Sequence, residues 1–314
     1  MSHWIALDIG GTTLRAACFP TDSLTPTCIN KTPTQPAGPE TLPRLIELAR
    51  SVWPVGQAVA GIGVAAPGPV DPSAGVVLKA PSLPGWDNLP LRQILGEAFQ
   101  TPVYVANDAN VAALGEWVYG AGQGHQDLIY LTISTGIGGG VIANGQILLG
   151  ANGLAGEMGH VTVLADGPVC SCGRRGHLEA LASGPSIASW VEEQLQNGAE
   201  SNLPQGTQLN AWQIAAAANA GDRLAIAAFE RAGAYLGAAL AIFINILNPS
   251  AVILGGGVAR SGELLLAPIR KVLKQQVYSH HFLDRLKLTS AALGDEAGLL
   301  GALALAQGLA EKSA

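Results

Sequence analysis

A short pattern that occurs twice constrains the fold of this chain more than any other feature. An apolar stretch runs into a polar, glycine-rich turn at Asp-Ile-Gly-Gly-Thr-Thr (8–13), and again at Ser-Thr-Gly-Ile-Gly-Gly (134–139). Each turn leads into a second apolar stretch, which predicts a β-hairpin. The recurrence predicts one supersecondary unit used twice, once in each half. Strand and helix patterns alternate along the rest of the chain, which is typical of an α/β fold.

The remaining periodicity predicts the order of the elements. Strands are expected at 4–8, 14–19, 61–65, 103–106, 128–134, 141–142 and 251–254, and helices at 42–53, 89–99, 109–117 and 298–307. A mainly helical stretch is expected over 186–247, with an interruption around 197–210. We expect an N-terminal α/β domain at 1–118 and a C-terminal α/β domain at 119–297. The last helix, about 298–314, is expected to pack back on the first domain.

Composition excludes several classes of protein. The 314 residues are 48% hydrophobic and 13% charged, a balance that excludes intrinsic disorder. A formal net charge of −6 and the absence of any Lys/Arg block argue against nucleic-acid binding. The N-terminus lacks the basic start of a signal peptide. The uncharged stretch 232–247 is shorter than the ~20 residues of a membrane-spanning helix, so we expect a core helix in a soluble, cytoplasmic protein without a membrane partner.

The glycine turns predict phosphate binding, because backbone N–H groups in such turns surround phosphate oxygens and glycine allows close approach. A carboxylate in the first turn suggests Mg²⁺ between it and the phosphates. An ordinary hairpin turn is the alternative interpretation. A Rossmann turn is disfavoured, since the second glycine run leads into a strand and not a helix. The candidate nucleotide-binding residues are Asp8, Gly10, Gly11, Thr12 and Thr13 in the first turn, Thr135, Gly136, Gly138 and Gly139 in the second, and Gly256 and Gly257 in a third glycine turn.

The pair Asn107-Asp108 lies where a predicted strand meets a predicted helix. This is the position at which α/β folds place ligands, and a carboxylate there can serve as a general base. The alternative is that Asp108 is simply the N-cap of the helix.

A cluster of sulfur and imidazole side chains predicts a metal site. His160, Cys170, Cys172 and His177 lie within eighteen residues, and two thiolates with two imidazoles suit a closed, structural, tetrahedral Zn²⁺ site. The alternative is two packed cysteines and two surface histidines. Zinc would also hold in place a long loop that lacks apolar periodicity.

These motifs together resemble the ROK family (repressors, open reading frames and sugar kinases), particularly its bacterial glucokinases. The matching segments come in family order and span nearly the whole chain: Leu-Asp-Ile-Gly-Gly-Thr (7–12), Ala-Pro-Gly-Pro-Val (66–70), Leu-Pro-Gly-Trp (83–86), Asn-Asp-Ala-Asn (107–110), Thr-Gly-Ile-Gly-Gly (135–139), Gly-Glu-Met-Gly-His (156–160), Cys-Ser-Cys-Gly (170–173), Ser-Gly (183–184) and Leu-Gly-Gly-Gly (254–257). The resemblance implies the actin-like ATPase fold, with two α/β domains that close over a cleft.

The resemblance also implies a role for each site residue. The first two glycine turns would bind the phosphates of ATP, and Gly256 and Gly257 would lie near the adenosine. Asp108 would take a proton from the 6-hydroxyl of a hexose. His160 would act both as zinc ligand and as sugar neighbour. The expected substrate-binding residues are Gly68, Ser82, Asn107, Asp108, Glu157, His160 and Glu179.

Two positions depart from the family pattern. His177 stands where the family usually has cysteine, and Ser82 where family glucokinases often have asparagine. The resemblance implies an ATP-dependent hexose kinase, with glucose as the first candidate and a homodimer or homotetramer as the assembly. An N-acetylmannosamine or N-acetylglucosamine kinase and a fructokinase are alternatives. A sugar-sensing regulator without catalysis is the alternative from another class, disfavoured because this chain begins directly at its first strand.

Overall fold

The first apolar stretch and the stretch after its glycine turn form β1 (His3–Ile9) and β2 (Thr13–Pro20). These strands pair antiparallel from His3↔Pro20 to Ile9↔Leu14, so the first predicted hairpin is confirmed. The computed structural model describes residues 2–308. These residues form two compact units: the first holds 2–126, 140–156 and 292–308, and the second holds 127–139 and 157–291.

Two five-stranded sheets repeat one strand order. The first sheet has the strand order β3 (Cys28–Pro33), β2, β1, β4 (Val59–Ala66) and β8 (Val103–Asn107). The second has the order β11 (Gln146–Ile147), β10 (Ile137–Ala143), β9 (Leu128–Ile133), β12 (Ala251–Gly255) and β13 (Lys287–Ser290). In the first sheet β1 pairs parallel with β4 on the side away from its hairpin partner, and in the second β9 pairs parallel with β12 in the same way. The repeated supersecondary unit is therefore confirmed. A small third sheet consists of β5 (Val70–Asp71), β6 (Val76–Lys79) and β7 (Asp87–Leu89).

The second glycine motif differs from the expected turn. Strand β10 begins at Ile137, so Gly138 and Gly139 lie within the strand and the turn is limited to Ser134, Thr135 and Gly136. Gly140 is also in the strand, where a side chain would lie 2.5 Å from the Ala113 Cβ. The glycine run therefore also serves close packing, which strand propensity alone does not reveal.

The helices include one long, apolar element. The described helices are α1 (Thr41–Ser51), α2 (Leu91–Phe99), α3 (Asp108–Tyr119), α4 (Glu179–Ala182), α5 (Gly184–Gln196), α6 (Ala211–Asn219), α7 (Arg223–Leu247), α8 (Glu263–Gln276) and α9 (Ala297–Ala306). Among the described residues, α7 alone is long and apolar enough to cross a membrane, but 56% of its apolar window is buried inside the protein. It packs against α4, α5, α6 and α8, as the expected core helix.

Glycines let the C-terminal helix approach its neighbours closely. In the first unit α9 packs against β1, β4 and α3. A side chain at Gly63 on β4 would collide with the backbone of Ala302, and one at Gly301 would collide with the backbone of Val111 on α3. The expected helix continued to residue 314, and its last part, 309–314, lies outside the described residues.

Candidate functional site

The carboxylate in the first glycine turn has a cationic partner that the sequence analysis did not identify. Arg15, on the strand after the turn, donates from Nε to Asp8 Oδ2 at 2.9 Å and forms an ion pair with it. Burial raises the pKa of Asp8, and the Arg15 charge acts in the opposite direction. The turn backbone is held by Thr34, whose hydroxyl donates to the Gly10 carbonyl at 2.6 Å. A side chain at Gly11 would lie 3.5 Å from Ser82 Cβ, so these two predicted site residues are neighbours.

Asn107 and Asp108 occupy different positions at the start of α3 and make different hydrogen bonds. The N-cap is Asn107, whose Oδ1 accepts from the Ala109 and Asn110 N–H groups, while its Nδ2 donates to the Gly68 carbonyl at 2.9 Å. Gly68 has a φ of +80°, which favours glycine. Asp108 is therefore the first helical residue and not the cap, and its Oδ1 accepts from the Ala109 N–H at 2.8 Å.

The second glycine turn is bound to Glu179. The Ile137 N–H donates to Glu179 Oε2 at 3.0 Å. A side chain at Gly136 would lie 2.6 Å from the same oxygen, so the carboxylate packs directly against the turn. The other oxygen, Oε1, accepts from the Ser171 hydroxyl at 2.7 Å. The family resemblance implies only a sugar contact for Glu179, and no spacing rule relates residue 179 to residue 137.

A cavity of about 690 Å³ in the second unit is lined by residues of two different predicted nucleotide-binding turns. Its wall includes Thr135 of the second turn and Gly257 of the third. A side chain on Gly257 would meet open space, whereas Gly256 has a φ of +84° and lies against the Ile133 backbone. Sequence reasoning missed the polar and aromatic part of the wall, which is supplied by Gln208, Asn210, Trp212 and Arg260.

The four predicted metal ligands converge. One donor atom from each of His160, Cys170, Cys172 and His177 lies within 4.8 Å of the others. Cys170 Sγ is 3.6 Å from His160 Nδ1, and Cys172 Sγ is 3.3 Å from His177 Nδ1. Sulfur and nitrogen ligands of tetrahedral Zn²⁺ are about 3.5 Å apart by the usual bond lengths, so this donor set fits the ion. Burial, followed by the charges of His160 and Arg174, lowers the pKa of His177, which favours the neutral imidazole that binds metals.

The two nitrogens of His160 face different groups. While Nδ1 lies near the cysteines of the cluster, Nε2 lies 3.9 Å from Glu157 Oε2. Half of the Glu157 side chain is exposed. The arrangement therefore leaves a carboxylate accessible to solvent, beside an imidazole whose other nitrogen faces Cys170.

The chain is similar to known proteins in sequence and in structure. The model of the ROK family matches residues 4–308. A glucokinase from Thermotoga maritima is 34% identical over 96% of this chain and 96% of its own length. A ROK glucokinase from Streptomyces griseus, solved with glucose and AMPPNP, is 34% identical, has a TM-score of 0.83, and is matched over 98% of this chain and all of that chain. A xylose repressor from Caldicellulosiruptor bescii is 36% identical over 79% of this chain and 62% of its own length.

Proposed function

The chain belongs to the ROK family, and from this premise we propose that it is an ATP-dependent kinase that phosphorylates glucose at the 6-hydroxyl. Its fold is the actin-like ATPase fold of the ROK sugar kinases. The observation that carries the proposal is the cavity lined by both Thr135 and Gly257. One glycine turn offers backbone and hydroxyl donors to phosphates, and the other offers a surface without side chains to an adenine ring.

The phosphates of ATP are assigned to the first two glycine turns. In the first turn the assigned residues are Asp8, Gly10, Gly11, Thr12 and Thr13, and in the second they are Thr135, Gly136, Gly138 and Gly139. The adenosine is assigned to Gly256 and Gly257 in the third turn. Asp8 supplies a carboxylate, the ligand type that Mg²⁺ prefers. When bound, Mg²⁺ neutralises charge on the phosphate oxygens during transfer.

Asp108 is the proposed general base. It accepts the proton of the sugar 6-hydroxyl as that oxygen bonds to the γ-phosphorus and the bond from phosphorus to the ADP oxygen breaks. The position supports this role because Asn107 performs the capping, so the Asp108 carboxylate is not required for it. A general base of this kind contributes about 10²–10⁴-fold to rate.

The sugar hydroxyls are assigned to side chains that the protein already orients. Glu157 and His160 lie beside each other, and Glu179 and Asn107 are held by hydrogen bonds to the backbone. Gly68 and Ser82 complete the proposed set. Which hexose these residues prefer depends on their contacts with individual hydroxyl and amide groups of the sugar.

Zinc is the metal ion that we propose for the four-residue cluster. His160, Cys170, Cys172 and His177 would hold it, and the ion would fix the loop and the orientation of His160. Two thiolates balance the charge of the ion, so a His in the usual cysteine position leaves the site neutral. We further propose a homodimer or homotetramer and a cytoplasmic location, both from the family resemblance.

A coupled assay of ADP release tests the proposed activity. ATP is supplied with glucose, fructose, mannose, N-acetylglucosamine or N-acetylmannosamine, and glucose is expected to have the highest kcat/KM. A preference for an N-acetylated sugar or for fructose would reassign the substrate. The similarity to xylose repressors favours one further candidate, a sugar sensor without catalysis. Binding of a sugar with no ADP release from any of them would favour that candidate and contradict the kinase.

A further inference from the structure

The Glu179 carboxylate joins two segments that are far apart in sequence. Through Oε2 it accepts from the Ile137 N–H at 3.0 Å, directly after the second glycine turn. Through Oε1 it accepts from the Ser171 hydroxyl at 2.7 Å, and Cys170 Sγ lies 3.5 Å from the same oxygen. Ser171 stands between the two cysteines of the metal cluster. One side chain therefore connects the metal loop to the phosphate turn.

The second glycine turn packs closely against the Glu179 carboxylate. A side chain at Gly136 would lie 2.6 Å from Oε2, which leaves the turn no room to approach the carboxylate further. The Ile137 carbonyl also packs against Gly159, the neighbour of the proposed ligand His160. A shift of Glu179 would thus move the Ile137 N–H and the backbone of the turn with it.

The position of Ser171 depends in turn on the cysteines that flank it. The residues of this loop are exposed at 171–175, and the loop lacks a helix or a strand of its own. An ion bound by Cys170 and Cys172 fixes the backbone on both sides of Ser171, and therefore the hydroxyl that holds Oε1. Without that restraint the loop gains conformational freedom, and the carboxylate loses a charge-assisted hydrogen bond.

We propose that Glu179 is a positioning residue through which metal in the cysteine loop sets the phosphate turn, so that metal loading strengthens nucleotide binding. The inference rests on the proposed function, since it concerns the nucleotide of that site. Coupling between two ligands is reciprocal in free energy. Bound nucleotide accordingly raises the affinity of the protein for metal by the same factor by which metal raises its affinity for nucleotide.

Calorimetric titration with ADP, without turnover, tests the coupling directly. The zinc-loaded protein is compared with protein stripped by a zinc-selective chelator. Stripping is expected to weaken ADP binding by about 5-fold or more, the lower end of typical allosteric coupling. In Glu179→Gln the loaded protein is expected to bind ADP weakly already, and stripping is expected to change its Kd less than twofold.

Ser171→Ala separates the link from the metal. This exposed residue is outside the assigned ligands, so the variant is expected to keep its zinc and its melting temperature but to bind ADP several-fold more weakly. Ser171→Thr restores the hydroxyl and is the matched control, which should bind ADP as the wild type does. Sugar affinity, measured without nucleotide, is also expected to fall in Ser171→Ala, because Glu179 is an assigned sugar contact, and to stay within twofold of wild type in Ser171→Thr.

Two results overturn the inference alone. The first is an equal ADP Kd for loaded and stripped wild type. The second is unchanged ADP affinity in a zinc-replete Ser171→Ala variant. Failure of the loaded wild type to bind ADP at all would instead contradict the proposed function, and the inference with it.

Discussion

Asn107 and Asp108 show how adjacent residues of similar size acquire different roles. The amide caps α3 and binds the Gly68 carbonyl, whereas the carboxylate occupies the first helical position. The sequence predicted a carboxylate at this strand-to-helix junction but left open whether it was a cap. The distinction depends on backbone dihedral angles at 107, which residue types alone do not determine.

Replacing Asp108 with Asn tests the base. The amide keeps the size of the side chain but cannot accept the proton, so we expect kcat to fall by about 10²-fold or more with little change in sugar affinity. Steady-state kinetics and a sugar titration measure both. The melting temperature should stay within a few degrees, because Asn107 remains as the cap. Near-normal kcat would remove Asp108 from the proposed role.

Glu116 is a buried carboxylate with a structural duty in the first unit. It has 0% exposure, and its two oxygens accept from the N–H groups of Ala121, Ala292 and Leu293. It therefore ties the end of α3 to the segment that leads into α9. Sequence reasoning missed it, since a lone Glu in an apolar helix has no pattern that marks its partners.

Glu116→Gln replaces an acceptor by a group that also donates. One N–H of the site would then face an amide N–H₂, and leaving a buried group unsatisfied costs about 1–3 kcal/mol. We expect the free energy of unfolding in urea to fall by that amount. Glu97→Gln, on α2, is the control and should change it little. Equal stability of the two variants would show that Glu116 does not hold this junction.

Among the elements, long periodic ones were predictable and short or irregular ones were not. The strands β1, β2, β9 and β12 and the end of α7 at Leu247 were expected near their observed positions, because their apolar runs are long and bounded by turn residues. The break between α6 and α7 was not expected. Helix α8 was overlooked although Leu265, Leu266, Ile269 and Leu273 have helical spacing, since Pro268 and several charged residues interrupt it. Strands such as β5 and β11 have only two residues each, which gives no periodicity.

The candidate site also has a part that could be predicted from the sequence and a part that could not. The convergence of the four candidate metal donors was predictable, because the types and spacing of zinc ligands follow from the chemistry of the ion. The contacts of Glu179 and of Arg15 were not, since each depends on a strand register or a loop path that brings distant residues together. Gly138 and Gly139 were assigned to a turn because glycine disfavours strands, while packing in the folded chain overrides that preference.

The cap of α7 predicts a pH dependence. Asp222 is buried against its partners, and burial acts to raise its pKa. Hydrogen bonds from the N–H groups of Ala225 and Asn202 and from the Ser201 hydroxyl outweigh it and lower the pKa of Asp222. A native pKa below the ordinary value of about 3.9 means that the ionised side chain stabilises the fold above that pH. The contribution is lost as pH falls through the lowered native value.

Asp222→Asn should therefore reduce the free energy of unfolding at pH 7 by about 1–3 kcal/mol, because the amide keeps one acceptor for the Ala225 N–H but places an N–H₂ group against the Asn202 N–H. The difference from wild type should shrink as the pH is lowered below about 4, because the wild-type carboxyl then becomes neutral as well. Urea unfolding at several pH values measures it. The exposed Asp22→Asn is the control, and a difference that grows in acid would contradict the assignment.

For the whole molecule, the metal cluster predicts a stoichiometry. Elemental analysis of purified protein should find about one zinc per chain. Cys172→Ala should lose the zinc and melt at a lower temperature, because metal binding no longer stabilises the folded loop. Cys28 lies on β3, outside the cluster, so Cys28→Ala is the control and should keep the ion. His177→Cys should also keep it, since a thiolate is an equally good ligand. Fully active protein without zinc would reduce the cluster to packed thiols and imidazoles.

The first compact unit is assembled from three separate stretches of chain, 2–126, 140–156 and 292–308. One of its apolar clusters joins Phe19 and Val111 to Leu299, Leu300 and Leu303 of α9. During synthesis the ribosome must pass from position 126 to position 292 before the last stretch begins, which takes roughly 10–30 s at ~5–20 residues per second. Throughout that interval the first sheet has no α9 to cover it. The part of the protein made first is thus the part completed last, and the nascent chain exposes an apolar surface of the kind that chaperones bind.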